Sequence, residues 1–137
     1  LLPVKFPKQK AVKVYHYYLV LVDPSGNTIY EKRAGRGIWE GLYQFPLMTS
    51  SSPLEIEGLL ASSETGLDIS LFENAKHFVF HDSFVVHKLT HRHIYATFIV
   101  VETPVTLKDS VPFVSIDEFP TAVLISDFIN AFKNSYF

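Results

Sequence analysis

The sequence has no cysteine, little net charge and no long apolar run. Among its 137 residues, the absence of cysteine excludes disulfides, thiolate zinc sites, iron–sulfur ligation and a cysteine nucleophile within the chain. No apolar stretch approaches the roughly 20 residues that a membrane-spanning helix needs, so no membrane partner is expected. The formal net charge is −2, whereas a domain that binds nucleic acid tightly by itself is usually strongly basic. Nucleic-acid binding by this chain alone should therefore be weak.

The first 13 residues differ in composition from the rest of the sequence. They contain two prolines and four lysines, which is typical of a basic tail or an interdomain linker. They lack the apolar core and the small-residue cleavage site of a signal peptide, and no methionine precedes them. We therefore interpret residues 1–13 as a linker remnant and expect the chain to be a fragment of a longer protein.

The remaining residues, 14–137, have the composition of one folded domain. Apolar residues make up 47% of the sequence and aromatic residues 15%, with 12 phenylalanines and seven tyrosines, which favours a sheet-rich core. We predict an α+β fold in which a mixed sheet packs with about two helices. The predicted elements of the first half are a strand at 14–22, a turn at 23–27, a second strand at 28–33 that completes a hairpin, a short strand at 42–45, a polar loop at 48–52, and a helix from Ser52-Pro53 to Gly66.

The second half is predicted to contain two or three strands and one helix. The strands fall within 75–102, with a tight turn near 81–83, and are followed by a loop at 103–109 and a short strand at 113–114. A C-terminal helix is predicted over about 121–133. Its apolar stripe consists of Val123, Leu124, Phe128, Ile129 and Phe132.

The segment Gly37-Ile38-Trp39-Glu40-Gly41-Leu42-Tyr43-Gln44-Phe45-Pro46 holds the only tryptophan. Core packing is the favoured interpretation, since a large indole, glycines and a strand-ending proline suit closely packed backbone. Arg36 and Glu40 could face DNA or solvent.

The histidines are concentrated in the second half. Five of six fall between His77 and His93. On a straight strand, His91 and His93 would share one face and could form a zinc pair, with a further ligand from His77, His81 or His87. The spacing matches no sharp metal motif, so structural histidines are favoured and no metal is assigned.

The segment His87–His93 also has the character of a basic turn. Lys88 and Arg92 can contact phosphates, and they surround Leu89, Thr90 and His91 at the expected strand-to-strand turn. The hydroxyl of Thr90 can donate and accept a hydrogen bond. These residue types suit an interface with nucleic acid.

The tryptophan block and the Lys88-Leu89-Thr90-His91 turn, at this spacing, together resemble the C-terminal domain of MutY-type adenine DNA glycosylases. The resemblance implies a Nudix-like (MutT-like) fold that recognises 8-oxoguanine opposite the adenine to be removed, without performing the cleavage. In that family the turn carries a Phe-Ser-His triplet, which corresponds to Leu89, Thr90 and His91 here. Threonine keeps the hydroxyl of serine, whereas leucine loses the ring that would stack on a base.

The resemblance implies further properties of a parent protein. Its partners would be duplex DNA containing 8-oxoguanine:adenine mispairs and a helical N-terminal catalytic domain of the same chain. That absent domain would carry the catalytic acids and a [4Fe–4S] cluster, so neither a catalytic residue nor a cofactor is assigned here. The implied location is the bacterial cytoplasm, with a function at the nucleoid.

Two alternatives remain open at the level of sequence. Nudix hydrolases bind divalent metal through carboxylates on one helix, because hard cations need clustered oxygen ligands. Alignment on Gly66-Leu67 leaves Glu64 at a matching acidic position, with Ser63 beside it and Leu59-Leu60 in place of the Arg-Glu pair. The chain could still be a hydrolase with a degenerate metal site. It could also be a protein-interaction module, which an exposed apolar patch would indicate.

Overall fold

Two long parallel strands form the centre of the structure, a computed structural model that describes residues 11–33, 39–62 and 66–136. Strand β1 spans Val12–Val22 and strand β8 spans Arg92–Glu102. They pair in register from Val12 opposite Arg92 to Val22 opposite Glu102. Both are rich in β-branched and aromatic residues. Their C-terminal halves are continuously buried, as expected for parallel strands that are covered on both faces.

Shorter strands complete a mixed sheet of five strands within the described residues. Strand β5 (Leu47–Ser50) runs antiparallel to β1. Strands β6 (Lys76–Val79) and β7 (Val85–Lys88) run antiparallel to β8, against its C-terminal and N-terminal halves respectively. Two small ladders lie apart from this sheet: β2 (Asn27–Thr28) with β9 (Val111–Pro112), and β3 (Glu31–Lys32) with β4 (Tyr43–Gln44).

Two α-helices cover the two faces of the sheet. Helix α2 (Val123–Tyr136) packs on the face that carries the even-numbered residues of β1 and β8, here called the α2 face. Helix α1 (Ile56–Ala61) packs on the face of the odd-numbered residues, the α1 face. Each face has its own buried cluster. Short 3₁₀ helices at Ile69–Leu71 and Phe113–Glu118 connect the strands and helices.

The α+β class, the strands within 75–102 and the C-terminal helix agree with the sequence prediction. The turn at 23–27 is also confirmed: the Asp23 carboxylate accepts the N–H groups of Ser25 and Asn27 at 2.9 and 2.8 Å, and Gly26 has φ of +80°. β1 begins at Val12, two residues earlier than predicted, because residues 12 and 13 pair with β8. Residues 1–10 lie outside the described residues.

Two loop and strand predictions in the first half were wrong. The polar segment at 48–52 was predicted as a loop, but Leu47–Ser50 forms an edge strand, because hydrogen bonds to β1 outweigh its composition. The strand at 28–33 is split into β2 and β3, which pair with β9 and β4 rather than continuing a hairpin with β1. Ile29 and Tyr30 between them are both buried, which an alternating strand with one solvated face would not allow.

One helix boundary, one element type and one buried position also differ from the prediction. Helix α1 begins at Ile56 rather than after Ser52, since the Leu54 N–H donates to the Tyr17 hydroxyl at 2.7 Å and the preceding residues are not helical. The segment at 113–114 is helical rather than extended, because Phe113 and Ile116 are buried at the three-residue spacing of a 3₁₀ turn. Val123 is 67% exposed, and the neighbouring Ile125 occupies the core instead.

None of the helices within 11–33, 39–62 and 66–136 has the length and apolar character needed to cross a membrane.

Candidate functional site

A two-residue turn joins β7 to β8 and places Thr90 and His91 at its tip. The Leu89 N–H donates to the Arg92 carbonyl at 2.8 Å, and the Arg92 N–H donates back to the Leu89 carbonyl at 3.4 Å. Thr90 and His91 are both exposed. A hydroxyl and an imidazole therefore face solvent on a backbone that the ladder fixes on both sides.

The turn is held from two further directions. The Val12 N–H at the start of β1 donates to the His91 carbonyl at 3.2 Å. Leu89 is half-buried and packs against the core cluster on the α2 face. The leucine at this position therefore anchors the turn by packing against the core.

Lys88 and Arg92 flank the tip on opposite faces of the sheet. Lys88 is opposite His93 in the ladder, and Arg92 is the residue before His93, so alternation along β8 directs the two cations to different faces. Both side chains are exposed. They can therefore contact different phosphates of a strand that passes over the turn. The structure thus brings the five predicted residues to one hairpin, with four of them facing solvent.

Behind the turn, on the α2 face, lies a cluster of four rings that the sequence did not predict. His16 Nδ1 lies 3.1 Å from the Tyr18 hydroxyl. The indole of Trp39 packs edge-on against His16, with ring centroids 6.3 Å apart, and contacts His87 at 5.7 Å. Trp39 thus connects β1 to β7 across the sheet beneath the hairpin.

His16 is 2% exposed, and its environment favours the neutral imidazole. Burial lowers its pKa to about 4, and the positive charges of Arg33 and Arg92 act in the same direction. Burial also raises the pKa of its hydrogen-bond partner Tyr18. Both rings are therefore uncharged at neutral pH. His16 and Tyr18 therefore form a neutral pair behind the turn, with the positive charge of Arg92 nearby.

The tryptophan block is largely structural, as predicted. Phe45 is fully buried, and Trp39 and Tyr43 pack against the same core cluster. Trp39 has φ of +61°, and its carbonyl accepts the Leu42 N–H at 3.0 Å. A bulky residue in the left-handed region marks a tightly determined turn. Glu40 is exposed, whereas Arg36 lies outside the described residues.

Helix α1 does not fit a divalent metal ion. Leu59 and Leu60, at the positions of the Arg-Glu pair, are buried in the core cluster on the α1 face. Leucine offers no oxygen ligand, and a side chain in the core could not present one to solvent. Ser63 and Glu64 lie outside the described residues. Across the part of the chain that is described, no three His, Asp or Glu side chains group as metal ligands.

The histidines are dispersed rather than convergent. His91 lies at the turn, whereas His93 lies in β8, so they do not alternate along one strand as a zinc pair would require. His87 points to the opposite face from His93 and contacts Trp39. His81 packs edge-on against Phe80, with ring centroids 4.8 Å apart. These are structural contacts, as favoured from the sequence.

Comparisons with known proteins agree with this fold. The NUDIX domain family matches residues 17–130 of the chain. A Nudix hydrolase from M. smegmatis, RenU, matches with a TM-score of 0.54 and 13% identity over 88% of this chain and 83% of its own. The MutT protein from Methanosarcina mazei Go1 matches with a TM-score of 0.56 and 15% identity over 91% and 96%. At these identities, the two structures indicate a shared fold only. No curated protein matched the sequence.

Proposed function

The chain belongs to the Nudix family, and from that premise we propose that it is the C-terminal domain of a MutY-type adenine DNA glycosylase. In this role it recognises 8-oxoguanine opposite the adenine and clamps the DNA, while another domain cleaves the glycosidic bond. The observation that carries the proposal is the exposed Thr90-His91 tip, flanked by Lys88 and Arg92 on a turn with fixed backbone.

The chemistry of the lesion matches the groups at this tip. 8-Oxoguanine differs from guanine by a carbonyl at C8 and a proton on N7, so its edge offers a donor at N7 and an acceptor at O8. The Thr90 hydroxyl can accept from the first and donate to the second. Because the turn is bound to both β1 and β8, it would meet the base without further ordering, which favours discrimination.

The flanking cations supply attraction that does not depend on sequence. Phosphate contacts position a protein on DNA, whereas base contacts provide specificity. Lys88 and Arg92 suit the first task, and Thr90 and His91 suit the second. The few cations at the turn and the net charge of −2 imply weak binding by the chain alone. Tethering to a catalytic domain would raise the effective concentration.

The proposal extends to partners and cofactor. The partners are duplex DNA containing 8-oxoguanine:adenine mispairs and an N-terminal catalytic domain. The [4Fe–4S] cluster would belong to that domain, because this chain has no cysteine. The catalytic acids would belong to it as well, as the family resemblance implies. Activity in the bacterial cytoplasm, at the nucleoid, follows from the same proposal.

A Nudix hydrolase is the alternative that the family itself suggests. The buried Leu59 and Leu60 argue against it, because they occupy positions where a metal-binding helix needs polar side chains. Magnesium-dependent release of pyrophosphate from 8-oxo-dGTP by this chain would establish the alternative instead.

An NMR titration of backbone amides tests the proposal directly. The chain is titrated with three short duplexes that differ in one pair: 8-oxoguanine:A, G:A and a Watson–Crick pair. We expect the largest shifts at residues 87–93, and larger shifts with the oxidised duplex. Equal shifts with all three duplexes would leave a general DNA clamp, and would contradict lesion recognition at this turn.

A double substitution provides the matched comparison. Thr90→Ala with His91→Ala should lower the preference for the oxidised duplex at least about fivefold, as expected for the loss of one hydrogen bond of about 1 kcal/mol. Thr106→Ala with His77→Ala removes another exposed threonine and another exposed histidine away from the turn. That control should keep the preference. An unchanged preference in the Thr90/His91 variant would refute the assignment of these residues.

A further inference from the structure

The register of the sheet aligns three basic side chains on the α1 face. Lys13 of β1 is opposite His93 of β8, and Lys88 of β7 is opposite the same histidine. Because directly paired residues point to one face, the three side chains form a row across three strands. Neighbouring strands lie about 4.8 Å apart, so this cationic row spans about 10 Å.

An aromatic row lies next to the cationic row on the same face. Tyr15 of β1 is opposite Tyr95 of β8, with ring centroids 5.4 Å apart. Phe84, just before β7, contacts both rings, with centroids 5.4 Å from Tyr15 and 6.0 Å from Tyr95. Three aromatic rings therefore form one cluster. Tyr15 and Tyr95 lie two residues along their strands from Lys13 and His93, and Phe84 lies four residues before Lys88.

This end of the α1 face remains open among the described residues. The segment before α1 reaches as far as Tyr17, whose hydroxyl accepts the Leu54 N–H, and Tyr17 is buried. Toward the start of β1, two residues before Tyr17, Tyr15 is only half-buried. Two residues earlier still, Lys13 is exposed. Phe84 is 38% exposed. The aromatic cluster therefore begins where the cover provided by α1 ends.

One face of the Tyr95 ring suits a flat ligand. The Lys13 ammonium lies 5.4 Å from the centroid of the Tyr95 ring, above its face. One face of Tyr95 is thus turned toward the cations, and it is covered by a flexible side chain that can move aside. A planar, electron-poor or neutral ring could stack there, with negative charge reaching the cationic row.

We propose that this open end of the α1 face binds single-stranded nucleic acid, with unpaired bases on Tyr15, Tyr95 and Phe84 and phosphates on Lys13, His93 and Lys88. Binding without base pairing commonly combines a positively charged track with aromatic stacking platforms. Lys13 and Lys88 are exposed and positively charged, which favours an anionic ligand. A duplex keeps its base faces in the stack, so it could use the cations but not the rings.

This site is separate from the Thr90-His91 tip and shares only Lys88 with it. The rings belong to the α1 face, whereas Arg92 and the His16 cluster belong to the α2 face. A variant that loses lesion recognition at the tip should therefore still bind single strands at the aromatic cluster. A variant that loses single-strand binding should likewise keep lesion recognition. The variants that test the inference avoid Lys88 for this reason.

Fluorescence anisotropy with labelled oligonucleotides tests the inference. The probes are oligo(dT) and oligo(rU) of about 12 nucleotides, within the range of known single-strand site sizes, and a duplex of the same length. We expect tighter binding of the single strands than of the duplex. Phe84→Leu should weaken single-strand binding at least about fivefold, because stacking on one ring contributes at least about that factor.

Phe78→Leu is the matched control, since Phe78 is 37% exposed but lies on the edge strand β6, away from the cationic row. It should leave the affinity unchanged. Lys13→Gln should reduce the slope of log affinity against log salt by about 0.7, the value for one phosphate contact on a single strand, whereas Lys76→Gln should not.

Several results would overturn the inference. The first is equal affinity for the duplex and the single strands, and the second is the absence of single-strand binding. The third is an equal loss of single-strand affinity in Phe84→Leu and Phe78→Leu, when both variants keep the unfolding midpoint of the wild type. A difference between oligo(dT) and oligo(rU) would identify the natural strand as DNA or RNA, and either preference supports the site.

Discussion

At the scale of single residues, His16 is a histidine buried within the core of the sheet. It is surrounded by Tyr18, Trp39 and the sheet, and two arginines contribute positive charge nearby. Its pKa is lowered to about 4, chiefly by burial, so the folded protein holds it neutral. In the unfolded chain the same imidazole would titrate near 6.5.

This difference makes stability depend on pH. The folded pKa is depressed, so between about pH 6.5 and 4 the unfolded state binds the proton more tightly and folding weakens as pH falls. His16→Phe removes the titrating group while retaining a ring. The free energy of unfolding of the wild type should fall relative to that of the variant on acidification, by up to about 1.4 kcal/mol per pH unit.

Urea unfolding between pH 7 and pH 4.5 measures this difference. His77→Gln, at an exposed position on β6, serves as the control and should show the pH dependence of the wild type. If His16→Phe loses stability on acidification as steeply as the wild type, His16 does not carry the effect.

The sequence could predict the residues at the turn but not the cluster behind it. Lys88, Thr90 and Arg92 are neighbours in the chain, so their proximity follows from composition alone. His16 and Trp39 are distant in sequence, and their contact depends on how the turn at residues 39–42 packs against β1. Within an apolar strand run, His16 carries no local signal of that contact.

At the scale of elements, helix α2 completes the core on the α2 face through stacked phenylalanines. Phe128 stacks on Phe98 of β8, with ring centroids 4.1 Å apart and nearly parallel planes. It also contacts Phe45 and Phe132. Aromatic pairs contribute about 0.5–1.5 kcal/mol beyond the area they bury, so one ring here connects the helix, β8 and the segment before β5.

Truncation of this ring should destabilise the protein far more than truncation on the exposed side. Phe128→Ala should lower the free energy of unfolding by about 3–5 kcal/mol, since it leaves a cavity among packed rings. Val123→Ala on the same helix should change it by less than about 0.5 kcal/mol, because Val123 is 67% exposed. Chemical denaturation of both variants compares them.

Phe128→Leu keeps most of the volume, and makes the comparison possible if the alanine variant does not fold. Equal stability of Phe128→Leu, Val123→Ala and the wild type would contradict the central role of the ring.

Elements with strong local patterns were predictable, whereas those formed by pairing were not. The apolar runs of β1 and β8 and the stripe of α2 each bury enough surface to specify themselves. The edge strand β5 has a polar composition and exists because β1 offers hydrogen-bonding partners. The two-residue ladders of β2 and β3 likewise depend on partners that are distant in sequence.

At the scale of the whole molecule, the parallel pair of β1 and β8 forms the centre of the sheet on which the helices and the other sheet strands pack. About eighty residues separate paired positions such as Val12 and Arg92, and both faces of the pair are buried over its C-terminal half. The register of this pair also determines which side chains share a row on the α1 face. A sequence can indicate both strands, but the relative register of two distant parallel strands has no local signature. For that reason, the cationic and aromatic rows became visible only in the structure.

The central position of β1 and β8 predicts that their amide groups are more strongly protected from hydrogen exchange than those of the small ladders. Amide groups at 19–20 and 99–101 are hydrogen-bonded inside a sheet that is covered on both faces, so they should exchange with solvent only on global unfolding. The β3–β4 ladder pairs only Glu31 with Gln44 and Lys32 with Tyr43, and neither pair is fully buried. Its amides should exchange through local opening, at a clearly lower free energy.

Native-state hydrogen exchange at increasing, sub-denaturing urea distinguishes the two classes. Exchange in the centre of β1 and β8 should accelerate with the full urea dependence of global unfolding, because it requires exposure of the whole core. Exchange at Glu31 and Gln44, the hydrogen-bonded pair of the small ladder, should show little urea dependence. If amides of the β3–β4 ladder were protected as strongly as those of β8, the small ladder would belong to the central cooperative unit. The parallel pair would then not be the last part of the fold to open.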